Sequence, residues 1–152
     1  MTNDDIARTI VDTATYVVLA TADTDGAPWA SPVWFANEHY RQLLWVSHPG
    51  ARHSQNIAVR PQIAMVVFDP TVAPNAGQGV YMTATAERLT DSRAVEHGIG
   101  IFSRAYARQT GEEFNLDRVT GDARLRLYRA RVHEHSILDP DSPFDIRVGV
   151  SP

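Results

Sequence analysis

The chain contains no cysteine and no lysine. Without thiols there is no disulfide, no thiolate metal site and no sulfur nucleophile. Without lysine there is no Schiff-base or lysine-base mechanism. All 14 basic side chains are arginine. Long apolar runs are missing too. The longest, Ile63 to Phe68, falls far short of the ~20 residues a membrane helix requires, so no membrane partner is expected. The N-terminus, MTNDDIARTI, is acidic and amphipathic. It lacks the charged-then-apolar layout of a secretion signal, and a cytoplasmic location is expected. Nor is there an excess of positive charge. A net charge of -4 argues against nucleic acid, whose phosphates call for a basic face.

What is present describes an ordinary globular chain. Its 152 residues are 43% apolar and 21% charged. A chain of that length buries roughly 70% of its unfolded surface, so a single domain over residues 1–152 is expected.

The stretch from Tyr16 to Asn56 organises the rest. Tyr16 to Thr21 reads as a strand apolar on both faces, hence central. Asp23 to Gly26 reads as a turn in which Gly26 takes positive φ. Pro28 to Asn37 is the second strand. Pro28 and Pro32 cannot donate to a ladder, which predicts an irregular, partly unpaired backbone at Ser31, Pro32 and Val33. Gln42 to Ser47 is the third strand. A helix is then expected from His48 to about Val59, with Pro49 in its first position. That helix start offers free N–H groups and a positive dipole end. Arg52 and His53 lie in its first turn. They are either two solvated surface side chains or, with an anion bound there, part of a cradle for it.

The rest of the chain is simpler. Residues 4–14 predict a helix capped by Asn3 or Asp4. Gln62 to Phe68 is again apolar on both faces. Asp69 to Gln78 is a loop. Gly79 to Leu89 alternates, with Val80, Met82, Ala84 and Ala86 on one face and Tyr81, Thr83, Thr85 and Glu87 on the other. Thr90 to Gln109 is the longest helix, with a stripe of Val95, Ile99, Phe102 and Tyr106. Gly98 and Gly100 weaken it unless packing requires them. A helical turn is expected at Leu116 to Val119. In the strand from Arg124 to Ile137 the alternation slips between Leu127 and Tyr128, as at a β-bulge. The sum is a mainly β, α+β domain: a six-stranded antiparallel barrel. His133 and His135 fall on one face of a strand, but no third ligand is visible, so no metal site is assigned.

The order and spacing of four segments resemble the pyridoxamine 5'-phosphate oxidase-like family of flavin-binding split barrels. The segments are LATADTDGAPWASPVWF, LLWVSHPGARHSQNI, PQIAMVVF and GVYMTATAERL, and the resemblance spans about Tyr16 to Asp139. It implies a homodimer with two cofactor clefts between subunits, holding flavin mononucleotide (FMN) or the related deazaflavin coenzyme. In such proteins the second strand offers backbone groups to the flavin ring, which maps here to Ala30, Ser31, Pro32 and Val33. The phosphate lies at the end of the third strand and the helix start, mapping to Ser47, Arg52 and His53, with Asn56 nearby. Tyr81 and Thr83 map to positions that reach the flavin from a neighbouring strand or subunit. Family members often carry lysine where this chain has His53; a neutral imidazole is the weaker phosphate partner.

The departures also inform. Members that oxidise the vitamin end in an arginine-leucine-proline tail with Arg and His residues nearby, whereas this chain ends HEHSILDPDSPFDIRVGVSP. That disfavours a true pyridoxamine 5'-phosphate oxidase. Three readings stand: an FMN-dependent oxidoreductase acting on a small molecule, a deazaflavin-dependent reductase, and a non-catalytic flavin- or haem-binding protein. No side chain is singled out as catalytic.

Overall fold

The chain runs α1 (Asn3–Thr13), β1 (Tyr16–Ala22), β2 (Pro28–Trp34), β3 (Ala36–Glu38), β4 (Gln42–Ser47), α2 (Arg52–Val59), β5 (Gln62–Phe68), β6 (Gly79–Arg88), α3 (Ser92–Thr110), β7 (Arg126–Leu138) and β8 (Arg147–Val150), with a 3-10 turn at Leu116–Val119. The computed structural model describes all of residues 1–152. One sheet carries the order β2-β1-β5-β6-β7-β4-β3, with β8 added to β7. Every pairing is antiparallel.

The curl of this sheet comes from one corner. The expected second strand, Pro28 to Asn37, breaks at Phe35. Before the break it pairs with β1; after it, Ala36 to Glu38 pair with β4 at the far end of the sheet. The same stretch of chain therefore touches both ends of the strand order, and the sheet curls into a split barrel. That break and the short β8 raise the strand number from the expected six to eight. β7 carries the split on its other edge. Its first half pairs with β4, from Arg126 to Arg131, and its last four residues pair with β8.

Packing divides the two faces. Inside the curl, Val17, Leu19, Leu43, Trp45, Met65, Val67, Val80, Met82, Tyr128 and Ile137 form the main core, which Ala7 and Val11 of α1 cover at one end. On the outside, Val95, Ile99 and Phe102 of α3 pack on Ala36, Leu44 and Leu127. Gly98 has a packing reason: a Cβ there would stand 2.8 Å from Leu127 Cδ2, whereas one at Gly100 meets nothing closer than 3.7 Å. α3 covers the β3-β4-β7 part of the outer face and the Trp34 end of β2.

Several local expectations change. The consecutive burial of Leu127 and Tyr128 is no bulge: Leu127 faces α3 and Tyr128 the main core. The register shift lies further on, where Thr83 pairs with Glu134 but Ala84 with Val132, leaving His133 as the extra residue. α1 is capped by Thr2, in a reciprocal box with Asp5. α2 begins at Arg52, not His48, with Ala51 at its N-cap. Pro49 sits in a preceding turn, closed by the Ala51 N–H on the His48 carbonyl (3.0 Å). Asp91 caps α3 through the Ala94 N–H (3.0 Å).

Candidate functional site

Strand alternation sorts the expected site residues into two groups. β2 is an edge strand and pairs with β1 in an unbroken register from Pro28 to Trp34, so the expected irregularity at Ser31 to Val33 is absent. The ladder's phase is fixed at both ends: the Phe35 N–H donates to the Thr15 carbonyl (3.2 Å) and the Asp23 N–H to the Ala27 carbonyl (3.1 Å). Odd-numbered residues of β2 therefore turn their backbone to β1. Pro28, Ala30, Pro32 and Trp34 turn theirs to the free edge. The prolines sit where no ladder bond is lost, and Ala30 offers an unpaired N–H and C=O between two carbonyls of proline.

Side chains follow the other alternation. Directly paired residues share a face, so Ala30, Ala20, Ala64 and Thr83 form one row across the outer surface. Pro32, Val18, Val66, Tyr81 and Ser136 form the next. The members of these rows on β1, β5, β6 and β7 floor a cavity of about 950 Å³, with Ala30 and Pro32 of β2 on the same face beside it. Its other walls come from the β3–β4 turn, the bulged part of β7, and β8. The expected Ala30, Pro32, Tyr81 and Thr83 thus lie on one face.

Ser31, Val33, Ser47, His53 and Asn56 face the other way. His53 is buried between two hydroxyls, with Nδ1 3.1 Å from Ser31 Oγ and Nε2 2.8 Å from Ser47 Oγ. Its ring ties α2 to both β2 and β4. Burial holds its pKa below the ordinary imidazole value. Both ring nitrogens are engaged, which is the geometry of a strut and not of an exposed phosphate ligand. Asn56 is equally buried and donates through Nδ2 to Thr21 Oγ1 (3.0 Å). Arg52 stays exposed, its guanidinium 4.4 Å from the centroid of the Trp29 ring. Beside it the first turn of α2 has no side-chain cap, and Ser54 Oγ is buried without a partner.

The remaining walls hold residues to which the sequence assigns no role in the site. His39 and Tyr40 at the tip of the β3–β4 turn both adopt left-handed backbone, with φ of 53° and 59°. Such geometry costs about 1–2 kcal/mol per non-glycine residue. Three bonds hold it: the Tyr40 N–H donates to Asn37 Oδ1 (2.8 Å), the Tyr40 hydroxyl to the Asp12 carboxylate (2.8 Å), and the Val132 N–H to the Arg41 carbonyl (2.8 Å). Burial, then Asp12, push the Tyr40 phenol pKa up. Arg147 of β8 lies over the Tyr81 ring, 4.2 Å from its centroid. At the bulge, His133 Nε2 meets Thr85 Oγ1 at 2.6 Å. His135 Nε2 is buried and unpartnered, and burial lowers that ring's pKa as well. No group of three His, Cys, Asp or Glu side chains comes together. Of the run of arginines on β7, Arg129 pairs with Glu87 and Arg126 donates to the Gly121 and Leu125 carbonyls (2.7 Å each).

A pH dependence follows from the buried His53 ring and the half-buried His135 ring. Each has a folded pKa below its unfolded value of about 6.5, so the unfolded chain binds more protons between the two values. The stability they confer is full above about pH 6.5 and is lost progressively as the pH falls from there through the lowered folded values. Asp5 and Asp69, whose pKa values are lowered from 3.8, act only in a more acidic window. The urea midpoint is expected to fall between pH 7.5 and 5.5, and to fall less in His53→Gln. A midpoint that rises on acidification would contradict this account.

Residues 4–138 match the family model described as pyridoxamine 5'-phosphate oxidase. No curated protein matches the sequence. Among solved structures, a heme storage protein from Vibrio cholerae superposes with a TM-score of 0.70 at 22% identity, over 88% of this chain and 92% of that one. A heme binding protein from Mycobacterium smegmatis gives a TM-score of 0.70 at 20% identity, over 98% of this chain but 58% of that one. An F420 reductase gives 0.61 at 20% identity, over 85% and 94%. At such identities these likenesses establish the fold. No helix is long and apolar enough to cross a membrane. With the match covering nearly the whole length, and the sheet curled as a split barrel, the chain belongs to the pyridoxamine 5'-phosphate oxidase family.

Proposed function

We propose that this protein binds a flavin, either FMN or the deazaflavin coenzyme, against the bare outer face of its sheet and serves as an oxidoreductase for a small molecule. The observation that carries this reading is the platform of Val18, Ala20, Ala64 and Val66 beside the free edge of β2. Small side chains on neighbouring strands give a flat apolar floor on which an aromatic ring system can stack. The free edge offers the Ala30 N–H and C=O, a donor and an acceptor to meet a carbonyl and the neighbouring ring N–H of a flavin. The cavity, about 950 Å³, lies in the size range of cofactor sites, roughly 300–1,000 Å³.

Arg52 and the uncapped start of α2 would take the phosphate. Trp29 and Ala30 are consecutive and face opposite ways, so the edge of β2 separates Arg52 from the platform by one residue. His53, Ser31 and Ser47 would hold that edge in place and not touch the phosphate. Once bound, the flavin supplies hydride or electron transfer; the protein orients the ring and keeps water from one face of it. The other face is open in a single chain. A second copy would close it, giving a homodimer with two clefts, residues 1–152 acting as one domain. Among similar structures, the F420 reductase keeps the deazaflavin choice in view, and the two heme proteins keep haem as the competitor.

Titrating the purified protein with FMN, with F420 and with hemin separates these. One of the two flavins is expected to quench tryptophan fluorescence with a micromolar Kd, about -8 kcal/mol. If neither binds below roughly millimolar, about -4 kcal/mol, the reading fails. Tight hemin binding alone would shift it to haem.

A further inference from the structure

The outer face carries a second, smaller cavity of about 360 Å³, within the size range of small-molecule sites, roughly 300–1,000 Å³. We propose that it binds a small organic cation, an apolar ring or branched chain bearing one ammonium group, with Asp69 meeting the charge. The site goes beyond the flavin reading and stands whether or not a flavin binds. It lies one row past the platform. Directly paired residues share a face, so Phe68 and Gly79 follow Val66 and Tyr81 along β5 and β6. All four line the cavity, and Leu138 of β7 joins them.

Two features open this space. Gly79 omits a side chain that the packing has room for: a Cβ there meets nothing closer than 3.4 Å, and that neighbour is Val66 of the cavity wall. Glycine inside a strand often marks close approach by another group. The second feature is Gln78. The pairing of β6 with β7 stops at Tyr81 and Ser136, and the Gln78 amide replaces the next rung. Its Oε1 accepts from the Leu138 and Gly79 N–H groups (3.0 Å each), and its Nε2 donates to the Leu138 carbonyl (2.7 Å). That fixes the amide in the cavity wall with one Nε2 hydrogen unused.

The charge is fixed as well. Asp69 is the one charged side chain on this wall. Its Oδ1 accepts from the Thr71 hydroxyl (2.6 Å) and N–H (2.8 Å). Those bonds hold the carboxyl below its ordinary pKa and leave Oδ2 unbonded. None of the three ion pairs in the structure includes it. Arg147, over the Tyr81 ring, lines the larger cavity and not this one. Beside the carboxylate, the Phe68 ring is 44% exposed, an aromatic surface that attracts both a cation and an apolar group.

Phenethylamine, 2-phenylethanol and 3-phenylpropanoate share a ring and a short arm and differ in charge. Each is titrated into the full, flavin-free chain near neutral pH and read by NMR shifts. The amine is expected to bind with a Kd of about 1 mM or below. It should bind about 5-fold tighter than the alcohol, the scale of one exposed ion pair, with the carboxylate weakest. Asp69→Asn is expected to bring the amine level with the alcohol. Gly79→Val puts methyl groups into the cavity and is expected to weaken all three by about 10-fold or more. Should that variant fail to fold, Phe68→Ala, at an exposed ring, takes its place with the same expected direction. No binding by any of the three up to about 10 mM, equal binding of all three, an amine preference intact in Asp69→Asn, or unchanged affinities in the cavity variant would overturn the proposal. Because these titrations contain no flavin, their failure leaves the flavin reading standing, and failure of the flavin titration leaves this site standing.

Discussion

Ala64→Trp is expected to lower flavin affinity by at least about 100-fold, close to 2.7 kcal/mol. Ala64 is exposed at the middle of the platform, between Ala20 on β1 and Thr83 on β6. An indole there occupies the plane in which a flavin ring would stack, and neighbouring strands only about 4.8 Å apart leave it no room to fold aside. The fold itself has little to lose. The side chain points away from the main core, and tryptophan suits a strand, so the urea midpoint should stay within the range of ordinary surface substitutions, about 0.5 kcal/mol. The measurement is a fluorescence titration with FMN and F420, with the midpoint as control. Retained affinity would move the flavin off this face. Lost affinity with a lost fold would be uninformative, and Ala20→Trp, one strand over, provides the independent repeat.

That platform was present in the sequence but was read as something else. YVVLATA and QIAMVVF are apolar in both phases, which ordinarily marks a strand buried on both sides. In the fold, Val17, Leu19, Ile63, Met65 and Val67 are core, while Val18, Ala20, Ala64 and Val66 face a cavity. An apolar second face signals a cover, and periodicity alone does not say whether that cover is a helix, a cofactor or another chain. The same limit applied to β7. Leu127 and Tyr128 looked like a slip in phase because the sequence does not show that α3 returns to cover the outer side there.

Gly26 and the alternation of β6 were legible because their causes are local: a positive φ of 84° and period-2 burial. His53 was not, because its role depends on two hydroxyls 22 and 6 residues away that meet only when β2 and β4 close around α2. Nor was Arg147, whose aromatic partner lies 66 positions back on another strand. The pairing of one chain segment with both ends of the sheet is likewise a global event. Only a break at Phe35 would have announced it, and Trp34-Phe35 reads as an unbroken strand.

Phe102→Ala is expected to cost about 3–5 kcal/mol, the range for emptying a buried aromatic site. Phe102 is only 2% exposed. It is the hub of the outer cluster: its ring meets Trp34 edge-on at 5.1 Å, Phe114 edge-on at 5.0 Å, and Tyr106 in a stack at 6.2 Å. Those partners come from β2, from α3 itself and from the segment after it, so one truncation leaves a hole where three parts of the chain converge. Close packing prevents the neighbours from filling it. Against a total stability of about 5–15 kcal/mol for a domain of this kind, the loss is a large share. Because β2 carries Trp34 at one end and, further along, Ala30 and Pro32 of the proposed flavin site, loosening this cluster should also weaken flavin binding, though the cavity is untouched. Phe144→Ala is the matched control: that ring is 74% exposed and its loss should change stability by no more than about 0.5 kcal/mol. Urea unfolding of both variants decides the matter. A Phe102→Ala cost below about 1.5 kcal/mol would mean that α3 is not seated on the outer face as described, and that the bare half of that face is larger than the cavity alone.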